Sequence, residues 1–441
     1  MKEDALKYHK DFPPGKIKIA SSKPCKTQGD LSLSYTPGVA FPCLEIKENP
    51  DTVWEYTNRG NSVAIVTDGT AVLGLGNIGA GAGLPVMEGK AVLFKKFADI
   101  DAYPLCVNFD HIDGDAQKIE AFVNMVKSIE PSFGGINLED IAAPACFELQ
   151  EKLDRIMGIP VFHDDQFGTA IIVVGGLINA LKIVGKEFGD IKIVINGAGA
   201  AGISCAKLLI SFGVKKEHVF LCDSKGLIVS GRTDLNLQKS AFAQDSVPTD
   251  LAGALKDADV FIGVSVAGAL KPEMIAVMKK DPIIFAVANP IPEIMPDEAL
   301  KAGARIIATG RSDFPNQVNN ALGYPGIFRG ALDTRSSTVD IGMRMAAAHA
   351  IASLTNEPVS GRAKEILEEA YVGEAAKGLF SAENPLSENY IIPKQFDLRV
   401  VPRVARAVAQ SAMESGVASL KIADLEGYEK SVADRVLQGW S

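Results

Sequence analysis

The chain has 441 residues, with 45 Lys and Arg against 54 Asp and Glu for a formal net charge of −9. Hydrophobic residues at 47% and charged ones at 22% suit a folded chain of two or three domains, at roughly 150 residues each, and exclude a disordered one. The acidic balance speaks against nucleic acid, whose phosphates need a basic surface, and five His constrain any mechanism that needs a histidine cluster.

The start, MKEDALKYHK, is charged and lacks the apolar run of a secretory signal. The most apolar stretch, Ala170 to Ile178, is short of the about 20 residues a bilayer requires. Six scattered Cys (Cys25, Cys43, Cys106, Cys146, Cys205 and Cys222) form no CxxC pair, which is the usage of a reducing cytoplasm. The expectation is a cytoplasmic α/β protein with small-molecule business and no membrane or nucleic-acid partner.

Residues 1–160 mix short strands and helices and are expected to form an N-terminal α/β domain. Tyr35 stands here at a turn, in Leu33-Ser34-Tyr35-Thr36-Pro37-Gly38. Further on, Gly74-x-Gly76-x-x-Gly79 has the spacing of a dinucleotide fingerprint, with Asp99 about twenty residues later. Directly downstream stand Gly81, Gly83, Pro85 and Gly89, a composition hostile to a packed helix. The segment from Gly74 to Gly89 is therefore expected to be a flexible substrate loop that delivers Lys90. With so few His, acid–base work would fall to Lys and Tyr, whose pKa values burial and neighbouring charge can lower. Taken singly, Tyr35 and Lys90 have structural readings too, a packed ring and a solvated ammonium.

Two acidic pairs come after apolar, strand-like runs: Glu139-Asp140 after Gly-Gly-Ile-Asn-Leu, and Asp164-Asp165 after Pro160-Val161-Phe162-His163. Carboxylates in such places are costly to desolvate unless paired or bound to a cation. Several of them without a convergent His or Cys suit a hard cation, Mg²⁺ or Mn²⁺. The alternative is that they cap helices and turns, Asp165 before a helix at Thr169.

Residues 161–385 carry the pattern of a doubly wound, Rossmann-type parallel sheet. A helix is expected over Thr169–Val184 and a strand over Ile191–Ile195. The turn Gly197-Ala198-Gly199-Ala200-Ala201-Gly202 then opens a helix over Ile203–Phe212, and a strand over Val219–Cys222 ends at Asp223. Further apolar runs lie at Val260–Val264, Ile283–Val287 and Ile306–Ala308. In this context Gly197 makes the turn and Gly199 lets backbone N–H groups, including those of Ala200 and Ala201, approach a pyrophosphate. Gly202 lets helix and strand pack, and Asp223 meets a ribose hydroxyl. Asp223 favours NAD, whereas Lys225 two residues on would pair with the 2′-phosphate of NADP, so both cofactors stay open. Residues 386–441 are expected to be a helical segment packed on the other domains or a partner subunit. Helices are expected over Ser337–Leu354 and Val400–Glu414, and a surface loop over Asn384–Pro393.

Taken together, Tyr35-Thr36-Pro37-Gly38, Gly74-Leu75-Gly76-Asn77-Ile78-Gly79, Asn137-Leu138-Glu139-Asp140 and Phe162-His163-Asp164-Asp165-Gln166-x-Gly168-Thr169 resemble the malic enzymes in order and spacing. So do Ala288-Asn289-Pro290, Asn319-Asn320 and Tyr390-Ile391-Ile392-Pro393. More narrowly, the chain resembles the malic-enzyme half of the bacterial hybrid enzymes, usually NADP-linked. Those enzymes carry a phosphotransacetylase-like domain C-terminally, which these 441 residues are not expected to include, as either a part of such an enzyme or a stand-alone relative. The resemblance implies oxidative decarboxylation of L-malate to pyruvate and CO₂, with Lys90 as base, Asp164 relaying protons and Tyr35 as acid. Glu139, Asp140 and Asp165 would hold the divalent ion, and Asn289 and Asn320 would orient substrate and nicotinamide. It also implies a homodimer or higher oligomer, with site residues shared between subunits. One departure stands out: the resemblance implies an Arg in many larger family members where this chain has Ala71, so the countercharge for a substrate carboxylate must come from elsewhere or be weaker. Two rivals remain, malolactic decarboxylation of malate to lactate and a nucleotide-sensing protein without catalysis.

Overall fold

Apolar runs bounded by turns become strands in two sheets of a computed structural model that describes residues 1–440. Among the described residues the first sheet has four parallel strands. They are β1 (Ser62–Thr67), β2 (Asp101–Cys106), β3 (Gly135–Leu138) and β4 (Val161–His163), in the order β2-β1-β3-β4. β1 and β3 are buried throughout, as strands between two helical layers must be. Because β4 pairs with β3, the first sheet extends three residues past the boundary expected at 160.

The second sheet holds β5 (Ile193–Asn196), β6 (Val219–Asp223), β7 (Gly226–Leu227), β8 (Val260–Gly263), β9 (Ile283–Ala286) and β10 (Ile306–Thr309). Their order is β10-β9-β8-β5-β6-β7, parallel except for the β6–β7 hairpin. The chain leaves β5 toward β6 on one side and returns to β8 on the other. That reversal opens a crevice beyond the carboxyl ends of β5 and β8, where ligands of such sheets bind.

Between the sheets runs the Asp164–Val184 helix, which starts where β4 stops. By length and composition it would cross a membrane, yet most of its apolar window is buried inside the protein. Gly175 lies against Ala348 and Ile351, and Gly176 against Phe285 and Ile391. Lacking side chains there, the helix approaches its neighbours closely enough to serve as the central core element.

The segment from Gly74 to Gly89 differs from expectation. Only its first part is a turn, and from Ala80 it is a helix that runs to Ala98. Gly81, Gly83, Gly89 and Pro85 together sacrifice about 6 kcal/mol of helix propensity. Met87, Phe94 and Phe97 are buried on the same helix, at about 1.5–3 kcal/mol each, with Ala91 and Ala98 beside them. Tertiary burial therefore meets the cost, and Lys90 rides on a rigid helix rather than a loop.

The Val400–Ser415 helix packs on the Tyr324–Asp333 helix, with Val404 against Gly326 and Val408 against Gly330. The Leu425–Gln438 helix reaches back to the Lys90 helix: Arg435 Nε donates to Asp99 Oδ2 at 2.7 Å. Asn384–Pro393 is irregular as expected, but its end is interior rather than surface. Tyr390 and Ile391 are fully buried, and the Ile391 carbonyl accepts from Asn179 Nδ2 at 2.9 Å. Apolar side chains and a buried Asn partner explain why a turn-rich stretch sinks inward.

Candidate active site

Crowning the first sheet, the residues after β3 and β4 bring four carboxylates to one spot. Asp140 adopts a left-handed backbone (φ +54°) directly after Glu139, and its N–H donates to Asp165 Oδ2 at 2.8 Å. Asp164 and Asp165 open the central helix, whose N-terminal dipole favours negative charge. Lys90 enters from the facing helix. Its Nζ lies 2.5 Å from Asp164 Oδ2, 2.8 Å from Glu139 Oε1, and 4.3 Å from the centroid of the Tyr324 ring. Lys90, Glu139 and Asp164 are buried, and Asp165 is partly exposed. Asn137 Nδ2 donates to Glu139 Oε2 at 2.9 Å and fixes that carboxylate.

One ammonium cannot neutralise four carboxylates. Burial pushes Glu139, Asp140, Asp164 and Asp165 each up to about 7. Burial would also lower Lys90, but Asp164 and Glu139 outweigh it and hold the ammonium well above the usual lysine range. The expectation of a lysine with a lowered pKa is corrected by these partners. His163 lies beneath the cluster with neither ring nitrogen partnered, and burial takes it down to about 3, so it is neutral.

Glu139, Asp140 and Asp165 each offer an oxygen within 4.8 Å of the others, and Asp140 Oδ2 is buried without a partner. An all-oxygen donor set with surplus negative charge fits a hard divalent cation. The cluster opens on a cavity of about 850 Å³ that Asn289 and Asn320 also line. Asn289 packs over Gly310, where a Cβ would come within 2.9 Å of its Oδ1, and Asn320 lies beside Gly168 and Asp164.

Across the crevice the Gly197–Gly202 turn follows β5. Gly197 has φ +117°, and a Cβ on Gly202 would lie 1.8 Å from the Gly197 carbonyl oxygen. A Cβ on Gly199 would meet nothing within 4 Å, so the backbone there faces open space, and Ala200 and Ala201 begin the helix and line the cavity. A second cavity, of about 630 Å³, continues past Gly199 to Asp223 and Lys239. Arg232 grips both Asp223 oxygens, Nη1 to Oδ1 at 2.8 Å and Nη2 to Oδ2 at 2.9 Å, and Lys239 Nζ adds a bond to Oδ2 at 2.9 Å. The Lys225 N–H bonds Oδ1 at 3.0 Å, while its Nζ turns away to Asp234 at 2.8 Å. Burial works against the Asp223 charge, but Arg232 and Lys239 hold the carboxyl at about 2.

Tyr35 is not brought to the Lys90 cluster. It ends the short Gln28–Ser34 helix, is 67% exposed, and does not line either cavity. Sequence reasoning missed Tyr324, Asn137, Arg232 and Lys239. Arg232 and Lys239 sit 9 and 16 residues beyond Asp223, and counting cations after the acid would have found them. Ala71 lines the cavity with no cation of its own, and Lys16 lines it too, with Nζ donating to the Pro85 carbonyl at 2.5 Å beside Gly89.

Residues 14–154 match the malic enzyme N-terminal domain and residues 167–369 the malic enzyme NAD-binding domain. A probable NADP-dependent malic enzyme of Rickettsia prowazekii is 53% identical over 435 residues, 98% of this chain and 54% of that protein. A bifunctional malic/malolactic enzyme of Bacillus subtilis is 51% identical over 436 residues, 98% of both chains. The crystal structure of malic enzyme from Pyrococcus horikoshii Ot3 superposes with a TM-score of 0.87 at 44% identity, covering 99% of this chain and 96% of that one. The chain thus spans about half the length of some curated relatives and nearly all of others.

Proposed function

Since the chain belongs to the malic enzyme family, we propose that it oxidises and decarboxylates L-malate to pyruvate and CO₂ while reducing a nicotinamide dinucleotide. The observation that carries this reading is Lys90 bonded to Asp164 and Glu139 in the cavity that Asp140 and Asp165 also line. When bound, the nicotinamide supplies a hydride acceptor, and a cation held by Glu139, Asp140 and Asp165 supplies Lewis-acid polarisation of a substrate oxygen. Were a cation at Glu139, Asp140 and Asp165 to offset the charge that retains the Lys90 proton, Lys90 would pass it to Asp164 along their 2.5 Å bond and then accept the proton of the C2 hydroxyl. Asn289 and Asn320 orient the substrate against the Gly197–Gly202 turn. Malate with NADP or NAD and Mn²⁺ should raise absorbance at 340 nm and yield pyruvate. No dinucleotide reduction with either cofactor would overturn the reading.

Tyr35 fits the role of acid at C3 if it arrives from a second copy of the chain. Its neighbours Leu33, Phe41 and Leu44 are 77%, 70% and 54% exposed, an apolar face that supports a homodimer. Mixing two inactive variants, Lys90→Ala and Tyr35→Phe, then restores part of the activity, whereas strictly additive inactivity would place both residues in one subunit's site.

NADP is the preferred cofactor on this reading. All four acceptor positions of Asp223 are occupied, so none is free for a ribose hydroxyl. Arg232, Lys239 and Lys225 outnumber Asp223 and Asp234 by one positive charge, which suits a 2′-phosphate. Lys16 is the cation that compensates for Ala71 toward the far carboxylate of malate. A second reading has one support, the bifunctional relative from Bacillus subtilis. Lactate formed from malate without net change at 340 nm would reveal it.

A further inference from the structure

Glu293 is a carboxylate with 0% exposure that neither the metal cluster nor the proton path uses. Its Oε1 accepts from the Ser265 N–H at 2.8 Å and the Ser265 hydroxyl at 3.1 Å, and its Oε2 accepts from the Ala288 N–H at 3.1 Å. No cation pairs with it among the described residues, so these three bonds offset only part of the cost of burying the acid, and burial holds its carboxyl above the ordinary range. Room for it is made by Gly263, where a Cβ would lie 2.4 Å from Glu293 Cδ. Ser265 in turn accepts from Asn196 Nδ2 at 2.8 Å, and Asn196 is the last residue of β5, directly before Gly197.

The network therefore ties together the ends of three adjacent strands: β5 through Asn196, β8 through Ser265, and β9 through Ala288. Ser265 lines both the cavity near Asp223 and the cavity near Lys90, and Ala288 precedes Asn289. We infer that Glu293 is a positioning residue that sets the Asn289 loop against the glycine turn and so fixes where the nicotinamide half of the dinucleotide lies. The inference rests on the dinucleotide reading of the crevice. It differs from a general stabilising role because the adenine-side residues, Asp223, Arg232 and Lys239, take no part in the network.

In Glu293→Gln the side-chain NH₂ cannot accept a hydrogen bond, so at least one backbone N–H is left facing a donor. Binding of NADPH is followed by fluorescence and binding of its adenine-side fragment, 2′,5′-ADP, by calorimetry, with NADH and 5′-AMP as the parallel pair. Wild type and Glu293→Gln should bind the fragment within about twofold of each other. The variant should bind the whole dinucleotide at least about tenfold more weakly and lose kcat more than KM for malate changes. If Glu293→Gln does not fold, Ser265→Ala, which removes only the hydroxyl link, should show the same split at about threefold. Equal weakening of fragment and dinucleotide, or no weakening of either, would overturn the inference. Failure of the wild type to bind any of the four ligands would instead overturn the dinucleotide reading, and the inference with it.

Discussion

At the Lys90 end of the crevice four carboxylates share one ammonium, whereas at the Asp223 end two carboxylates share three cations. The residue types are the same, yet burial lifts Glu139 to about 7 while ion pairs hold Asp223 at about 2. The first cluster is left in positive-charge deficit, which suits a cation. The second is in surplus, which suits an anion. Charge balance within a few ångströms, rather than the acidic total of the chain, sets which kind of ligand each end of the crevice suits.

This contrast is tested most severely at Lys90. Lys90→Ala removes the proposed proton carrier and the only ammonium of the deficient cluster, and turnover of malate at 340 nm should fall by about 10³-fold or more. Unchanged turnover would strip Lys90 of its role. Chelation is the next test: protein stripped with EDTA should be inactive and regain activity with Mn²⁺. Persistent activity after complete removal of metal would mean that the carboxylates balance without a cation. At the surplus end, Arg232→Gln frees acceptor positions on Asp223 and removes a charge, so KM for NADP should rise about tenfold while that for NAD holds or falls. An unchanged ratio of the two would leave the cations as ordinary ion pairs. The smallest effect is expected at Tyr324, whose hydroxyl is buried without a partner beneath Lys90. Tyr324→Phe keeps the ring and should leave stability to urea unchanged or raise it by about 1 kcal/mol, since an unsatisfied group is removed. A clear loss would show that the hydroxyl has a hidden partner.

Much of this was legible in the chain because it depends on local order. The β5–turn–helix unit is written in Ile193 to Ser211, where a continuous apolar run, three spaced glycines and the acid at the end of the next strand agree with one another. The pairs Glu139-Asp140 and Asp164-Asp165 stood out because acids after apolar runs are rare. What escaped was settled by contacts distant in sequence. The Ala80–Ala98 helix looked unfavourable because its glycines and proline are local, whereas Phe94 is buried against Tyr324 and Phe328, more than two hundred residues away. The proton affinity of Lys90 is set the same way, since Asp164 lies 74 residues off. Tyr35 is exposed, and the proposed second copy of the chain would cover its apolar face.

The bond from Arg435 to Asp99 spans 336 residues, and Asp99 closes the helix that carries Lys90. Arg435 also donates to Asn61 at 2.9 Å, and Lys96 donates to the Gly439 carbonyl at 2.8 Å. During synthesis the Lys90 helix therefore gains these fastenings only once residues 435–439 have emerged from the ribosome. The helix that carries Lys90 is thus braced only after Asp164, Asp165 and the Gly197–Gly202 turn have been translated, so a partly made chain holds acids and glycine turn before that helix is fully fastened.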